Sequence, residues 1–291
     1  MRVLVLGVSG MLGNAMIDVF SQDSSYEVWG TLRSGSALHY FAEEQRARLL
    51  VGVDVLDQDA LVRVLDTVRP DVVINCVGLI KQLADAKDPL STLPVNAMFP
   101  HRLARLCGLV GIRIVHVSTD CVFSGRKGAY TESDPSDADD LYGKSKFIGE
   151  LHELPHAITL RTSIIGHELN SNFALVDWFL SQTGEVRGYA KAIFSGLPTV
   201  ELASVIKDCV LTRPELHGLY HVAAAPIAKL ELLRLIADQY KKAIDIVPDE
   251  RLVIDRSLSC ERFHQATGYV APTWPKLIEK MFNGNNRSTA Q

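Results

Sequence analysis

The sequence predicts an α/β protein: an open, doubly wound parallel sheet followed by a smaller, mostly helical C-terminal domain. Three observations predict it. Short apolar runs alternate with longer amphipathic segments through the first half of the chain. Several of those runs are apolar at nearly every position, as strands buried on both faces of a parallel sheet must be. The first run also feeds straight into a glycine-rich turn that opens a helix, the expected start of such a sheet.

Strands are expected at 3–6, 27–30, 49–53, 72–75 and 112–117, with further strands at 157–162 and 218–222. Between them, apolar residues at helical spacing predict helices at 11–20, 59–68, 94–109 and 140–151. Later helices are expected at 173–181, 199–211, 229–240 and 274–282. The predicted division is a first domain at 1–163, to whose sheet 218–222 returns, and a second at 164–283. Residues 284–291 read as a polar, frayed tail.

Composition excludes several functions. With 47% apolar and 22% charged residues among 291, the chain reads as an ordinary soluble globular protein. A net charge of −4 and no polybasic stretch argue against nucleic acid and anionic membranes as partners. The apolar N-terminal run is shorter than the ~20 residues of a membrane span and carries no signal-cleavage pattern. Five cysteines without C-x-x-C spacing give neither a disulfide framework nor a zinc site, so no metal is expected and a reducing cytoplasm is the predicted setting.

The first turn is Gly7-Val8-Ser9-Gly10-Met11-Leu12-Gly13. A strand running into such a turn aims backbone N–H groups and a helix N-terminus at one point, which favours a pyrophosphate. Gly7 permits the turn, Gly10 close approach of the phosphates and Gly13 close packing of helix on sheet. After the second strand, where an acid would mark NAD, the chain reads Gly30-Thr31-Leu32-Arg33-Ser34. Arg33 and Ser34 suit a 2′-phosphate, so the expected cofactor is NADP(H), with NAD(H) second. Asp54 and Val55, after the third strand, are placed at the adenine. Cys76, Val77 and Gly78, after the fourth, are small enough for a nucleotide to lie across them.

Tyr142 and Lys146 are four residues apart, hence on one face of a helix. A tyrosine with a pKa near ~10 is a poor acid–base at neutral pH. A neighbouring ammonium favours the phenolate, and Lys146 is expected to lower the Tyr142 pKa in this way. Val117-Ser118-Thr119-Asp120 closes the fifth strand at the edge where ligands of such sheets bind. There a hydroxyl stabilises the charge that develops on a carbonyl oxygen. Thr119 is the expected group and Ser118 the alternative, since a one-residue slip exchanges their faces.

With these residues in place, the chain resembles an extended short-chain dehydrogenase/reductase, and most of all the dTDP-4-dehydrorhamnose reductase family. The resemblance rests on Gly7-x-x-Gly10-x-x-Gly13, on Val117 through Gly125 and on Tyr142-Gly143-Lys144-Ser145-Lys146 with Gly149-Glu150. Leu160-Arg161-Thr162-Ser163, Asn172-Phe173 and Gly196-Leu197-Pro198-Thr199 extend it, and it runs to about residue 283. It implies a Rossmann-like domain, a nucleotide-sugar substrate and reduction of a C4 keto group of a 4-keto-6-deoxy sugar. By the same resemblance Tyr142 donates the proton, Lys146 holds the nicotinamide ribose, and Thr119 orients the carbonyl. Asp120, Cys121, Ile164, Asn172 and Arg256 fall to the substrate side, with Arg256 at a diphosphate. Two positions depart from the family: Cys121 stands where a tyrosine is frequent and Ile164 where a tryptophan is frequent, so a related 4-keto sugar stands beside the rhamnose precursor. A homodimer is common among extended members.

The resemblance leaves two alternatives: a nucleotide-sugar epimerase or dehydratase, and a non-catalytic regulatory subunit like the methionine adenosyltransferase β subunit. His152-Glu153-Leu154-Pro155-His156 matches H-E-x-x-H, but Pro155 breaks the helix that motif requires, so no metal is expected there. The acidic stretch 132–140 reads as a solvated loop.

Overall fold

The computed structural model describes residues 1–80 and 87–288, with side chains through Gly284. Seven strands form one parallel sheet: β1 (Arg2–Leu6), β2 (Glu27–Leu32), β3 (Leu49–Val51), β4 (Val72–Asn75), β5 (Arg113–Thr119), β6 (Ala157–Thr162) and β7 (Gly218–His221). Their spatial order is β7-β6-β5-β4-β1-β2-β3. The chain winds outward from β1 to β3 and then crosses back to β4, so the order reverses beside β1. A crevice opens there at the carboxyl ends of the strands.

Alternate side chains of each strand point to opposite faces, and each face is covered by helices. Val3 and Val5 pack with Met16, Ile17 and Phe20 of α1 (Met11–Ser21). Leu4 and Leu6 pack on the other face with Leu61 and Val64 of α2 (Gln58–Val68) and Leu103 of α3 (Phe99–Leu109). This two-sided burial is why the strand runs lack the polar alternation of a one-sided sheet.

Several boundaries differ from the sequence expectation, each for a local reason. β3 stops at Val51 because Gly52 turns to a φ of +81°. β5 continues to Thr119, paired with Thr162 of β6. The helix expected at 94–109 starts at Pro89, capped by the Asp88 carboxylate, which accepts from Leu90 N and Ser91 N. It widens to a π turn at Leu93–Met98, where Pro94 has no N–H to give. A second π turn, Ile206–Val210, follows α6 (Thr199–Val205) inside the stretch expected as one helix.

Beyond β6 the chain forms α5 (Leu175–Ser181), α6, α7 (Lys229–Gln239) and α8 (Trp274–Ser288). Three small sheets join them, including Glu185–Tyr189 paired with Asp245–Asp249. α8 runs through Ser288, into the stretch expected as a polar tail. Residues 289–291 of that tail lie outside the described residues.

One contact fixes the next helix, α4 (Leu141–Ile148), on the end of β5. A Cβ added at Gly143 would lie 2.1 Å from the Cys121 carbonyl oxygen. Gly143→Ala is therefore expected to lower stability by about 1–3 kcal/mol, read as a lower denaturant midpoint with an unchanged slope. An unshifted midpoint would show that α4 is not seated so closely.

Candidate active site

The turn after β1 is built as its glycines require. Gly7 has a φ of +82°, and a Cβ on Gly13 would lie 2.2 Å from the Gly7 carbonyl oxygen. α1 opens at Gly10 without a side-chain cap, so its first N–H groups point outward from the turn. Ser9, Gly10, Met11 and Leu12 line one wall of a cleft of about 640 Å³. Cys76, Val77 and Gly78, from the exit of β4, line its floor.

The opposite wall holds the chemistry. Asp140 caps α4 by accepting from Gly143 N at 2.8 Å, and the helix carries Tyr142 and Lys146 into the cleft. Thr119, Asp120 and Cys121 enter from the end of β5. Thr119 Oγ1 accepts from Cys121 N at 3.1 Å and donates to Asp120 Oδ1 at 3.2 Å, and Tyr142 shares the cleft with it. Ser118, the alternative, donates instead to Glu150 at 2.7 Å. The cleft thus brings Thr119, Tyr142 and Lys146 together.

The expected electrostatic relation of Tyr142 and Lys146 is corrected. Burial raises the phenol above its ordinary value, and Cys121, Asp120 and Asp140 add to the rise; the Thr119 hydrogen bond opposes it. Lys146 Nζ donates to the Val117 carbonyl at 2.8 Å. Burial pushes Lys146 itself down to about 8, while Glu150 acts the other way. The phenol is therefore protonated. Burial also pushes the Cys76 and Cys121 thiols up to about 12, so both are neutral lining groups.

The far wall carries Ile164, Arg256 and Lys229. Arg256 is anchored by donating Nε–H to the Phe123 carbonyl at 2.7 Å. Asp120 is buried and its carboxyl raised; Arg256 and Lys229 oppose that rise. Lys229 and Glu168, which carry no sequence signal of a site, also line the cleft. Nothing local marks them: Lys229 opens α7, far along the chain, and only the tertiary fold brings it in.

Other expected residues lie elsewhere. Gly7 and Gly13 shape the turn from behind the cleft wall. Arg33 and Ser34 are exposed past the end of β2, on the same edge of the sheet, and Arg33 has no ion pair among the described residues. Asp54 is exposed after β3 and accepts from Leu56 N at 2.9 Å, with Val55 beside it. Asn172, expected in the substrate site, is exposed and follows Asn170 and Ser171, which line the cleft. The Glu168 carboxylate accepts from Ser171 Oγ at 2.8 Å and from Ala174 N at 2.7 Å, which ties that loop together.

The H-E-x-x-H segment is non-helical. His152 faces Glu150 at 2.9 Å, while His156 meets the Ala104 carbonyl at 2.9 Å. The acidic stretch is more than a solvated loop: Glu132 accepts from His221 N at 2.7 Å and Asp137 from Ser124 N at 2.7 Å.

The model of the RmlD substrate binding domain family matches residues 1–286. The chain belongs to the RmlD substrate binding domain family. A dTDP-4-dehydrorhamnose reductase of Aggregatibacter actinomycetemcomitans is 29% identical over 235 residues, 77% of this chain and 74% of that one. The methionine adenosyltransferase 2 subunit beta of Danio rerio is 31% identical over 172 residues, 58% of this chain; the match spans 49% of that relative's length. The fold matches a Bacillus anthracis dTDP-4-dehydrorhamnose reductase solved in complex with NADP, with a TM-score of 0.77 and 21% identity over 97% of this chain and 98% of that one. No helix of the described residues is long and apolar enough to cross a membrane.

Two buried histidines give this region a pH dependence. Burial holds His116, beneath the site, well below its ordinary value and lowers His221 to about 4. The folded protein keeps both neutral, whereas the unfolded chain takes up protons near pH ~6.5. Their stabilisation is complete above that pH and is lost as pH falls; His221 alone accounts for about 3 kcal/mol by pH 4. Thermal midpoints should fall from pH 6.5 downward, less steeply in His221→Gln. A midpoint flat to pH 4.5 would contradict the neutral assignment.

Proposed function

We propose that this chain is an NADPH-dependent reductase of the C4 keto group of a nucleotide-activated 4-keto-6-deoxy sugar, serving the synthesis of cell-surface polysaccharide precursors. The single observation that carries the reading is the convergence of Thr119, Tyr142 and Lys146 in one cleft with the Gly7–Gly13 turn. The turn suits a dinucleotide: Gly13 lets α1 pack closely on the Gly7 backbone, and Ser9 through Leu12, at the uncapped start of α1, line the cleft. The reductase relatives and the NADP complex of the Bacillus anthracis protein support the same cofactor.

Ser9 through Leu12 would hold the pyrophosphate, and Lys146 the nicotinamide ribose. Arg33, exposed and without an ion pair among the described residues, would meet a 2′-phosphate, and Asp54, exposed after β3, the adenine. Bound NADPH supplies a hydride. Thr119 holds the substrate carbonyl by its hydroxyl, and Tyr142, kept protonated by burial, gives its Oη proton to the developing alkoxide. Arg256 and Lys229 make the far wall cationic and suit the diphosphate of a nucleotide sugar. Cys121 and Ile164 shape the sugar end. Five unpaired cysteines suit the reducing cytoplasm, where such precursors are made.

The purified protein should oxidise NADPH when given a dTDP- or UDP-4-keto-6-deoxy sugar. Tyr142→Phe should lower kcat about 100-fold or more while NADPH binding, followed by calorimetry, stays within a factor of about two. Turnover unaffected by that change would remove the mechanism. Arg33→Asp should weaken NADPH binding more than tenfold relative to NADH, because it replaces a cation with a charge that repels the 2′-phosphate. An unchanged ratio would place the 2′-phosphate elsewhere.

The Danio rerio relative favours a second reading, a regulatory subunit that binds a methionine adenosyltransferase. Co-elution with such an enzyme, and no turnover of any 4-keto sugar, would select it.

A further inference from the structure

Loop 166–174 walls part of the cleft without a helix or strand to hold it. Glu168, Leu169, Asn170 and Ser171 line the cleft, and Ala174 and Leu175 follow where α5 begins. Two of its backbone N–H groups find carboxylates in place of a strand partner. Glu168 N donates to Asp177 Oδ2 at 2.6 Å, and Ala174 N to Glu168 Oε2 at 2.7 Å.

Behind the loop stands a chain of three polar side chains that the proposed mechanism does not use. His167 Nδ1 lies 2.6 Å from Asp177 Oδ1, and His167 Nε2 lies 2.7 Å from the Tyr240 hydroxyl. The His167 and Asp177 side chains are each 18% exposed. A carboxylate only accepts, so in the neutral ring Nδ1 carries the hydrogen and the phenol donates to Nε2. Tyr240 ends α7 and meets Phe282 of α8 edge-on, with ring centroids 4.9 Å apart. Carboxylate, imidazole and hydroxyl in this order resemble the relay that activates a nucleophile. Tyr240 is not one: burial raises its phenol, Asp177 adds to the rise, and none of the three side chains lines the cleft.

What the chain joins is two pieces of one wall. α7 opens with Lys229, which lines the cleft, and closes on Tyr240. Asp177, in the first turn of α5, reaches back to both His167 and Glu168. The loop is thereby tied at its root to the helix that carries Lys229. Among the described residues, none of the three hydrogen-bonds Thr119, Tyr142, Lys146 or the Ser9–Leu12 turn.

We propose that His167 is a positioning residue for the substrate: bridging Asp177 and Tyr240, it clamps loop 166–174 to α7 and so sets the wall that receives the nucleotide sugar. The inference rests on the substrate class of the proposed function, and its test separates the two. Calorimetry with dTDP and UDP probes the wall without turnover; kinetics use NADPH and a 4-keto-6-deoxy nucleotide sugar. Tyr240→Phe removes one oxygen and keeps the ring on Phe282, while His167→Asn removes the bridge. Each should weaken nucleotide binding and raise KM for the sugar about tenfold or more, with kcat within about threefold and NADPH affinity within about twofold. The double variant should lose no more than His167→Asn alone, since both changes break one bridge. In each variant the Glu168 and Ala174 amides should exchange hydrogen about tenfold faster. Tyr240→Phe carries the test alone if His167→Asn does not fold. Nucleotide binding, KM and amide exchange all unmoved would overturn the inference. So would kcat and NADPH affinity falling together with KM, which is what a general loosening of the fold produces, and so would a wild-type chain that binds neither dTDP nor UDP. A wild-type chain inactive on every keto sugar, whose nucleotide binding still weakens in the variants, defeats the reductase reading alone.

Discussion

Everything in the site depends on how closely α4 lies across the carboxyl end of β5. Glycine is what permits it: a side chain at Gly143 would collide with the Cys121 carbonyl, and one at Gly149 would lie 2.0 Å from the Asn96 carbonyl oxygen. Two polar contacts then lock the register. Lys146 reaches the Val117 carbonyl, and Asn96 donates to Ser145 Oγ at 3.3 Å. A helix shifted by one residue would turn Tyr142 and Lys146 roughly 100° away from Thr119. The sheet supplies the edge, but this contact makes the edge a reactive one.

The same closeness sets the proton chemistry. Packing removes water from Tyr142, Lys146 and Asp120 together, and each is displaced towards its neutral form. A phenol held as an acid suits reduction, in which a proton must be given to an alkoxide.

Much of this was legible in the sequence, for physical reasons that differ by element. β1 and β4 are buried on both faces, and so they read as unbroken apolar runs. The Gly7–Gly13 turn and the Tyr142–Lys146 spacing are local, and local geometry is written in adjacent residues. Thr119 against Ser118 was open because the strand end decides which faces the cleft, and β5 ran two residues beyond the expected 117. The π turns at Leu93–Met98 and Ile206–Val210 depend on packing rather than propensity. Lys229 and Glu168 come from the second half of the chain, where only long-range packing decides what faces the cleft. The ionisation of Tyr142 was misread because spacing gives proximity on a helix, whereas burial decides protonation.

Isotope tracing tests the central claim most directly. With NADPH carrying deuterium at the transferable position and a dTDP-4-keto-6-deoxy sugar, product analysed by NMR should hold the deuterium at C4 of the sugar. Product without deuterium at C4, or no product across the 4-keto nucleotide sugars, would contradict the account.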